Sequence, residues 1–181
     1  MSDERRADTK AQTDRRDASV EPRREWRRDE YVIRTDPRRI DVEFVHAFLT
    51  ESYWAKGIPL DAVRRSIENS LPFGLSFDAS AGRGGRERPI GFARVITDYV
   101  TFGYLADVFV IEEFRGRGLS RWLMETVIAH PDLQGFRRWV LLTRDAHGLY
   151  AKFGFAALKQ PDRYMELWDP DVYLKLPGAP E

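Results

Sequence analysis

The sequence predicts an α/β fold of the mixed (α+β) type, with a mixed central sheet of about seven strands flanked by about four helices. The 181 residues are enough for one domain with a sizeable core. Segments with strand and helix periodicity occur in the order strand, two helices, three strands, helix, strand, helix, two strands. Because this order does not alternate strictly, it excludes a doubly wound parallel sheet.

Each element is predicted from its apolar spacing. In the first half, apolar residues recur at helical intervals twice between runs typical of strands. The elements there are a strand at 31–33, helices at 37–50 and 60–71, and strands at 73–79 and 89–100. In the second half, a strand at 102–111 runs into a Gly- and Arg-rich loop and then an amphipathic helix. The remaining elements are a buried-type strand at 136–143, a short helix at 145–153 with Asp145 as its N-cap, and strands at 154–158 and 163–168.

The ends of the chain differ in composition from its middle. Residues 1–29 carry interleaved Arg-Arg pairs and acids with almost nothing apolar, which predicts a disordered charged tail. A sharper alternative is an arginine-rich arm that contacts an acidic partner. The folded domain is then expected at 30–169, with a C-terminal extension at 170–181.

The overall composition excludes several classes of protein. Lys plus Arg equals Asp plus Glu at 29 each, so no global field favours nucleic acid or membrane as a partner. The absence of cysteine excludes a disulfide scaffold, a thiolate metal site and a Cys nucleophile. No metal is expected. No stretch has the roughly 18 apolar residues of a membrane span, and residues 1–30 show no apolar signal core. A cytoplasmic location is the expectation.

The loop "RGRGLS" at 115–120 has the chemistry of an anion site. A helix N-terminus presents unpaired N–H groups and a partial positive charge. Glycines let the backbone turn sharply towards a ligand, and two arginines add cationic donors. Phosphate or pyrophosphate suits such a site. The spacing is neither a Walker loop nor GxGxxG, and the alternative is a tight turn with exposed arginines.

The pattern Arg115-x-x-Gly118-x-Ser120, between a strand and an apolar helix, resembles the acetyl-CoA-binding motif of the GCN5-related N-acetyltransferases. Ser120 stands where the family has Gly or Ala, a mild departure. A second resemblance lies in "DAHGLYAKFGF" at 145–155, which is similar to the family's Ala-x-x-x-Tyr helix followed by Gly-Phe and places the tyrosine at Tyr150. The order of elements from 31 to about 168 also matches the family's sheet.

The resemblance implies acetyl-CoA as the acetyl donor, with its binding residues in two segments. Backbone N–H groups of the loop would hold the pyrophosphate: Arg115, Gly116, Arg117, Gly118, Leu119 and Ser120. The main-chain edge of the preceding strand would pair with the pantetheine arm: Val108, Phe109 and Val110. In the family, the amide at the position of Val110 lies nearest the thioester carbonyl and can stabilise an oxyanion.

The resemblance also implies a catalytic role for Tyr150, whose phenol would donate a proton to the departing thiolate; a core tyrosine is the alternative. Asp98 and Asp107 are the candidates for a general base. Asp107 is preferred because an unpaired carboxylate inside the apolar run "LADVFV" would be costly, although an ion pair with Arg94 would also explain it. His147 is a less favoured proton relay, and positioning alone could suffice without a base.

The acceptor is expected to be a primary amine of a small molecule that attacks the thioester directly in a ternary complex. The sequence does not name it, and a small amine, an amino acid, an antibiotic and a protein N-terminus all stay open. By analogy with the family, the predicted pocket is aromatic and consists of Tyr53, Trp54, Phe73, Tyr99 and Tyr104; the alternative is that most of these belong to the core. Two other functions stay open from the sequence: a non-catalytic acyl-CoA-binding sensor, and an Arg-rich adaptor acting through its tail. A homodimer is left open as the assembly.

Overall fold

The computed structural model describes residues 24–80 and 87–175. Six strands form one sheet in the order β1-β2-β3-β4-β5-β6, with all neighbours antiparallel except β5 and β6, which run parallel. The strands are β1 Glu25–Arg28, β2 Tyr31–Arg34, β3 Leu71–Phe77, β4 Arg88–Thr97, β5 Phe102–Val110 and β6 Arg138–Leu141. The helices are α1 Val42–Leu49, α2 Leu60–Glu68, α3 Leu119–Ile128 and α4 His147–Tyr150. The predicted mixed sheet with about four helices is confirmed.

Two hydrophobic clusters cover opposite faces of the sheet. Side chains alternate along β4, so Phe92 joins the cluster beneath α1 and α2 while Ala93 joins the cluster beneath α3. The first residue of α1 follows the N-cap Asp41, whose carboxylate accepts a hydrogen bond from the N–H of Phe44 at 2.8 Å. Helix α3 is enclosed more deeply, with Leu123 fully buried. The sheet is therefore a rigid support on which the loops at the β5 end can be positioned.

Strand β1 lies inside the segment predicted as a tail. Residues Glu25–Arg28 pair antiparallel with β2, and Trp26 packs against Phe73 and His130 with ring centroids 6.4 Å and 5.6 Å apart. The charged side chains that flank Trp26 concealed this strand, since alternating charges sit on its exposed face. Residues 1–23, the rest of the predicted tail, lie outside the described residues.

The C-terminal strands predicted at 154–158 and 163–168 are absent. No ladder pairs these residues with β6 in the part of the chain that the structure describes, and Met165, Leu167 and Trp168 are exposed. The prediction was wrong because apolar alternation produces a strand only where a neighbouring strand accepts its hydrogen bonds. Strand β6 is consequently half-buried, not the buried strand expected at 136–143.

Candidate active site

Strands β5 and β6 separate midway along the sheet. They pair in parallel from Phe102 opposite Arg138 to Leu105 opposite Leu141. Strand β6 then ends, whereas β5 continues to Val110. A register shift in the β4–β5 ladder coincides with a positive φ of 53° at Asp107, the geometry of a β-bulge. The bulge turns β5 away and leaves one of its edges without a strand neighbour among the described residues.

The main chain of Val110 faces this open edge. The next residue, Ile111, donates its N–H to the carbonyl of Ile90 at 2.9 Å, towards β4. Because alternate residues of a strand point to opposite edges, the N–H of Val110 points away from β4. Its carbonyl accepts a hydrogen bond from Nε of Arg115 at 3.1 Å. The side chains of Val110 and Phe109 are buried. By the same alternation the main chain of Phe109 faces β4, so of these two residues only Val110 offers its main chain to a ligand.

The loop after β5 forms the concave N-terminus of α3. Gly116 and Gly118 have φ of 76° and 74°, a left-handed conformation that favours glycine. Gly118 is the N-cap and provides no side-chain hydrogen bond. The first N–H that bonds back to the cap is that of Trp122, to the carbonyl of Gly118 at 3.0 Å. The amides of Leu119 and Ser120 are thus left for an anion.

The two loop arginines have different contacts. Arg115 bonds to the end of β5, as described above. Arg117 instead donates to the hydroxyl of Tyr31 at 3.3 Å and to the carbonyl of Glu113 at 3.2 Å, and its guanidinium lies 4.8 Å from the ring centre of Phe114. Arg117 therefore contributes positive charge to the loop while its donors are directed at the protein.

Tyr150 ends helix α4 and lies at the open edge of β5. The residue is 8% exposed, and its hydroxyl has no hydrogen-bond partner among residues 24–80 and 87–175. Burial raises the pKa of Tyr150 to about 12, with smaller contributions from Tyr53 and Asp145. The phenol is therefore protonated throughout the neutral range. Asp145 is not the cap of α4, since Ala146 occupies that position.

A cavity of about 400 Å³ opens between the diverging strands. Its walls come from the α1–α2 loop, from β4 and β5, from the loop after β6 and from α4. Three predicted pocket residues line it, together with Tyr150 and a residue that the sequence analysis did not single out: Tyr53, Trp54, Tyr104, Tyr150 and Tyr173. Among the predicted cofactor residues, Val108 also lines it. The cavity adjoins the open edge of β5, where a thioester would end.

Two predicted pocket residues do not line this cavity. Phe73 is fully buried in the core beneath α3, where it contacts Trp26 and His130. Tyr99 lies in the turn between β4 and β5, with a φ of 61° and its N–H bonded to Oγ1 of Thr97. Sequence spacing showed that both residues were near central strands, but it did not show which face each side chain occupies.

Asp107 has both carboxylate oxygens engaged. Oδ2 accepts from Nε of Arg94 at 2.5 Å and Oδ1 accepts from Nε1 of Trp54 at 3.1 Å. The ion pair with Arg94 weighed as the alternative is therefore present. The other base candidate, Asp98, closes the β4–β5 turn: hydrogen bonds from the Thr101 hydroxyl and from backbone amides hold its pKa well below its usual range. His147 is exposed and lines a separate groove beside β6.

Two cavity residues carried no local signal of their role. The sequence indicates Arg94 only as a possible ion-pair partner of Asp107, not as a residue of the cavity. Tyr173 lies in the predicted C-terminal extension, in a turn at Val172–Lys175, and folds back onto the cluster beneath α1 and α2. In the described part of the chain, no group of three or more His, Asp or Glu residues is arranged to hold a metal ion. No helix there is long and apolar enough to cross a membrane.

The N-terminus of α3 has no side-chain cap and lies beside an unpaired strand edge, next to a cavity that contains a protonated phenol. This arrangement is the one expected of an acyltransferase. Comparison with known proteins defines the group more narrowly. Residues 23–155 match the acetyltransferase (GNAT) family, and the chain belongs to this family of enzymes. The match starts before β1, in agreement with the structure.

Relatives are found among both sequences and solved structures. A Gibberella zeae protein described as a candidate acetyltransferase is 35% identical over 142 residues, which are 70% of this chain and 79% of that protein. A candidate GNAT acetyltransferase from Xanthomonas campestris, of which a crystal structure exists, is 48% identical in sequence to this chain. The two structures superpose with a TM-score of 0.72, and the match covers 79% of this chain and 96% of the other. A Clostridium acetobutylicum protein described as a predicted acetyltransferase with acetyl-CoA shares the fold, at 15% identity and a TM-score of 0.54, over 76% of this chain and 94% of the other.

Proposed function

We propose that this enzyme transfers the acetyl group of acetyl-CoA to a primary amine of a small-molecule acceptor, within a ternary complex. One observation carries the proposal: the N-terminus of α3, which has no side-chain cap, follows the open edge of β5 after a single turn at Glu112–Phe114 and the glycine loop. The loop has room for a ligand, since a Cβ placed on Gly116 or Gly118 would meet no atom within 4 Å. The residues present therefore fit the pyrophosphate of CoA.

Each part of the donor site has a defined task. The loop amides from Gly116 to Ser120 would bind the pyrophosphate, assisted by the positive end of the α3 dipole. The main-chain groups of Val108 and Val110 would pair with the amides of the pantetheine arm. Acetyl-CoA supplies the acetyl group as a thioester, which an uncharged amine can attack. The N–H of Val110 would then polarise the acyl carbonyl.

Tyr150 is proposed as the residue that holds the proton for the departing sulfur. Its raised pKa keeps that proton in place at neutral pH, and its hydroxyl has no competing partner among the described residues. Asp107 is a poor candidate for the base, because both of its oxygens already accept hydrogen bonds. We propose that the amine loses its proton to water in the open cavity, and that positioning supplies much of the acceleration.

The test is a calorimetric titration of acetyl-CoA, followed by a screen of primary amines for thiol release. The control is a pair of variants at Gly118, whose left-handed backbone conformation an Asn or Asp residue can also adopt. Gly118→Asn retains the conformation without charge, whereas Gly118→Asp adds a negative charge where phosphate would sit. We expect micromolar binding to the parent protein, a modest loss in Gly118→Asn and at least a tenfold greater loss in Gly118→Asp. Equal affinity in the two variants would contradict the anion site.

A further inference from the structure

We propose that the amine acceptor carries a carboxylate, as amino acids do, and that Arg94 binds it together with the hydroxyls of Tyr104 and Tyr173. The inference rests on the proposed transfer to an amine and names the class of that acceptor. It starts from a guanidinium whose hydrogen-bonding capacity is only partly used.

Arg94 projects from β4 on the face beneath α1 and α2, two residues after Phe92, and lines the cavity. Its side chain is 15% exposed. Nε donates to Asp107 at 2.5 Å, but neither terminal nitrogen has a hydrogen bond to any residue of 24–80 or 87–175. A guanidinium has five N–H donors in a planar fork, and those of the two terminal nitrogens are left for a ligand or water in the cavity that Arg94 lines. The two terminal nitrogens suit a bidentate carboxylate.

The neighbouring Asp107 does not remove the preference of Arg94 for a carboxylate ligand. Its charge balances that of Arg94, but both of its oxygens are already engaged, by Arg94 and by Trp54. The pair therefore presents mainly donors to the cavity. Among the described residues, the only other acidic side chain in the lining is that of Asp145, which is 67% exposed and lies 3.7 Å from the guanidinium of Arg144.

Two phenols add further donors around the guanidinium. Burial raises the pKa of both Tyr104 and Tyr173, and both also respond to the charges of Asp107 and Arg94. Both phenols line the cavity together with Arg94 and Asp107, and they stay protonated at neutral pH. Neither hydroxyl has a hydrogen-bond partner in the described part of the chain. A carboxylate is the ligand that uses several such donors at once.

Tyr173 reaches the cavity from outside the segment that matches the family model. It lies beyond residues 23–155, which match the family as a whole, and reaches the cavity from the turn at Val172–Lys175. The α1–α2 loop adds an aromatic surface to the cavity, with Tyr53 and Trp54 at a ring-centroid distance of 4.9 Å. An amino acid fits this division, with its carboxylate on Arg94 and its amine directed towards the open edge of β5.

The experiment compares phenylalanine with phenylalaninamide, and glycine with glycinamide, as acceptors at saturating acetyl-CoA. Values of kcat/KM are corrected for the fraction of uncharged amine, because the amide is less basic. The variant Arg94→Gln/Asp107→Asn removes the pair without leaving a lone buried charge. The matched control is Arg88→Gln/Glu113→Gln, an exposed Arg–Glu pair at the other end of β4. Acetyl-CoA titration verifies that each variant is folded.

We expect the parent to prefer each carboxylate over its amide by at least tenfold. The ratio of kcat/KM for the carboxylate to kcat/KM for the amide should fall to about one in Arg94→Gln/Asp107→Asn. It should decrease severalfold in Tyr173→Phe and stay at the parent value in the control. A ratio near one in the parent, or an unchanged ratio in Arg94→Gln/Asp107→Asn, would overturn the inference while leaving acetyl transfer intact.

If no amine releases thiol, the proposed transfer fails and the carboxylate site is tested by binding alone. N-acetylphenylalanine and its amide are then titrated into the protein with CoA present. Binding of the acid at least tenfold tighter than the amide, abolished in Arg94→Gln/Asp107→Asn, would support the site. Equal binding of the two would refute it.

Discussion

Nε of Arg115 donates a hydrogen bond to the carbonyl of Val110 at 3.1 Å, and this bond joins the loop at 115–120 to the last residue of β5. The two parts of the proposed CoA site are thereby held in one geometry. A hydrogen bond from a charged group is worth about 1.5–3 kcal/mol.

Replacing Arg115 by Gln is expected to weaken acetyl-CoA binding about tenfold. The substitution removes the charge and the bond to Val110, so the loop and the strand edge can move independently. The measurement is the calorimetric Kd. Arg117→Gln is the matched control, because it removes the same charge from the same loop but a different set of contacts, to Tyr31 and Glu113. We expect a loss of about threefold there. Equal losses would mean that charge alone matters.

Tyr150→Phe should lower kcat about a hundredfold and leave the Kd for acetyl-CoA unchanged. General acid catalysis contributes in this range, and the ring that fills the buried site is retained. Steady-state kinetics and calorimetry together provide the two numbers. Tyr53→Phe is the control tyrosine of the same cavity, since its hydroxyl accepts a hydrogen bond from the N–H of Arg144 at 3.0 Å. An undiminished kcat in Tyr150→Phe would remove the proton-donor role.

The elements that sequence reasoning located correctly are those with strong local signals. Helix α3 and its loop combine glycines, an apolar stripe and a preceding apolar strand, and the structure has all of them in order. The bulge at Asp107 was not anticipated, because a positive φ at a non-glycine residue depends on the neighbouring strand. The sequence nevertheless indicates that Asp107 has a special environment, since a carboxylate within an apolar run requires a partner.

Long-range partners account for the errors. Trp26 had no visible apolar neighbours in sequence, yet it packs on Phe73 from β3. Residues 163–168 alternate like a strand but have no ladder partner in the described structure. Tyr173 enters the cavity from far along the chain. None of these contacts has a signature within a window of ten residues, so periodicity could not reveal them.

Trp26→Ala should lower the free energy of unfolding by about 2–3 kcal/mol, because a large partly buried ring leaves a cavity against the core. Acetyl-CoA affinity should be unchanged, since β1 lies at the sheet edge opposite β6. Urea unfolding and calorimetry measure the two effects. Trp54→Ala is expected to have the opposite pair of effects. Because Trp54 is 41% exposed and lines the cavity, its loss should change the free energy of unfolding little but raise the KM for the acceptor. If Trp26→Ala unfolds with the same free energy as the parent, β1 does not stabilise the fold and behaves as part of a tail.

His130 should make the fold sensitive to acid. It is 1% exposed, its ring contacts the rings of both Trp26 and Phe73, and Nδ1 accepts a hydrogen bond from the N–H of Asp132 at 3.3 Å. Burial lowers the pKa of His130, and the charge of Arg24 adds to this, against an opposing effect of Asp132. The folded state therefore binds the proton more weakly than the unfolded state.

With the folded pKa below the unfolded value of about 6.5, the contribution of His130 to stability is complete above pH 6.5. It is lost as the pH falls below that value, at up to about 1.4 kcal/mol per pH unit. Urea unfolding from pH 7.5 to 4.5 measures this slope. His130→Asn retains an acceptor for the N–H of Asp132 but does not titrate, so its slope below pH 6.5 should be shallower than that of the parent. His147→Asn, at an exposed histidine, should keep the parent slope. Parallel slopes in parent and His130→Asn would mean that protonation of His130 does not control the acid stability of this fold.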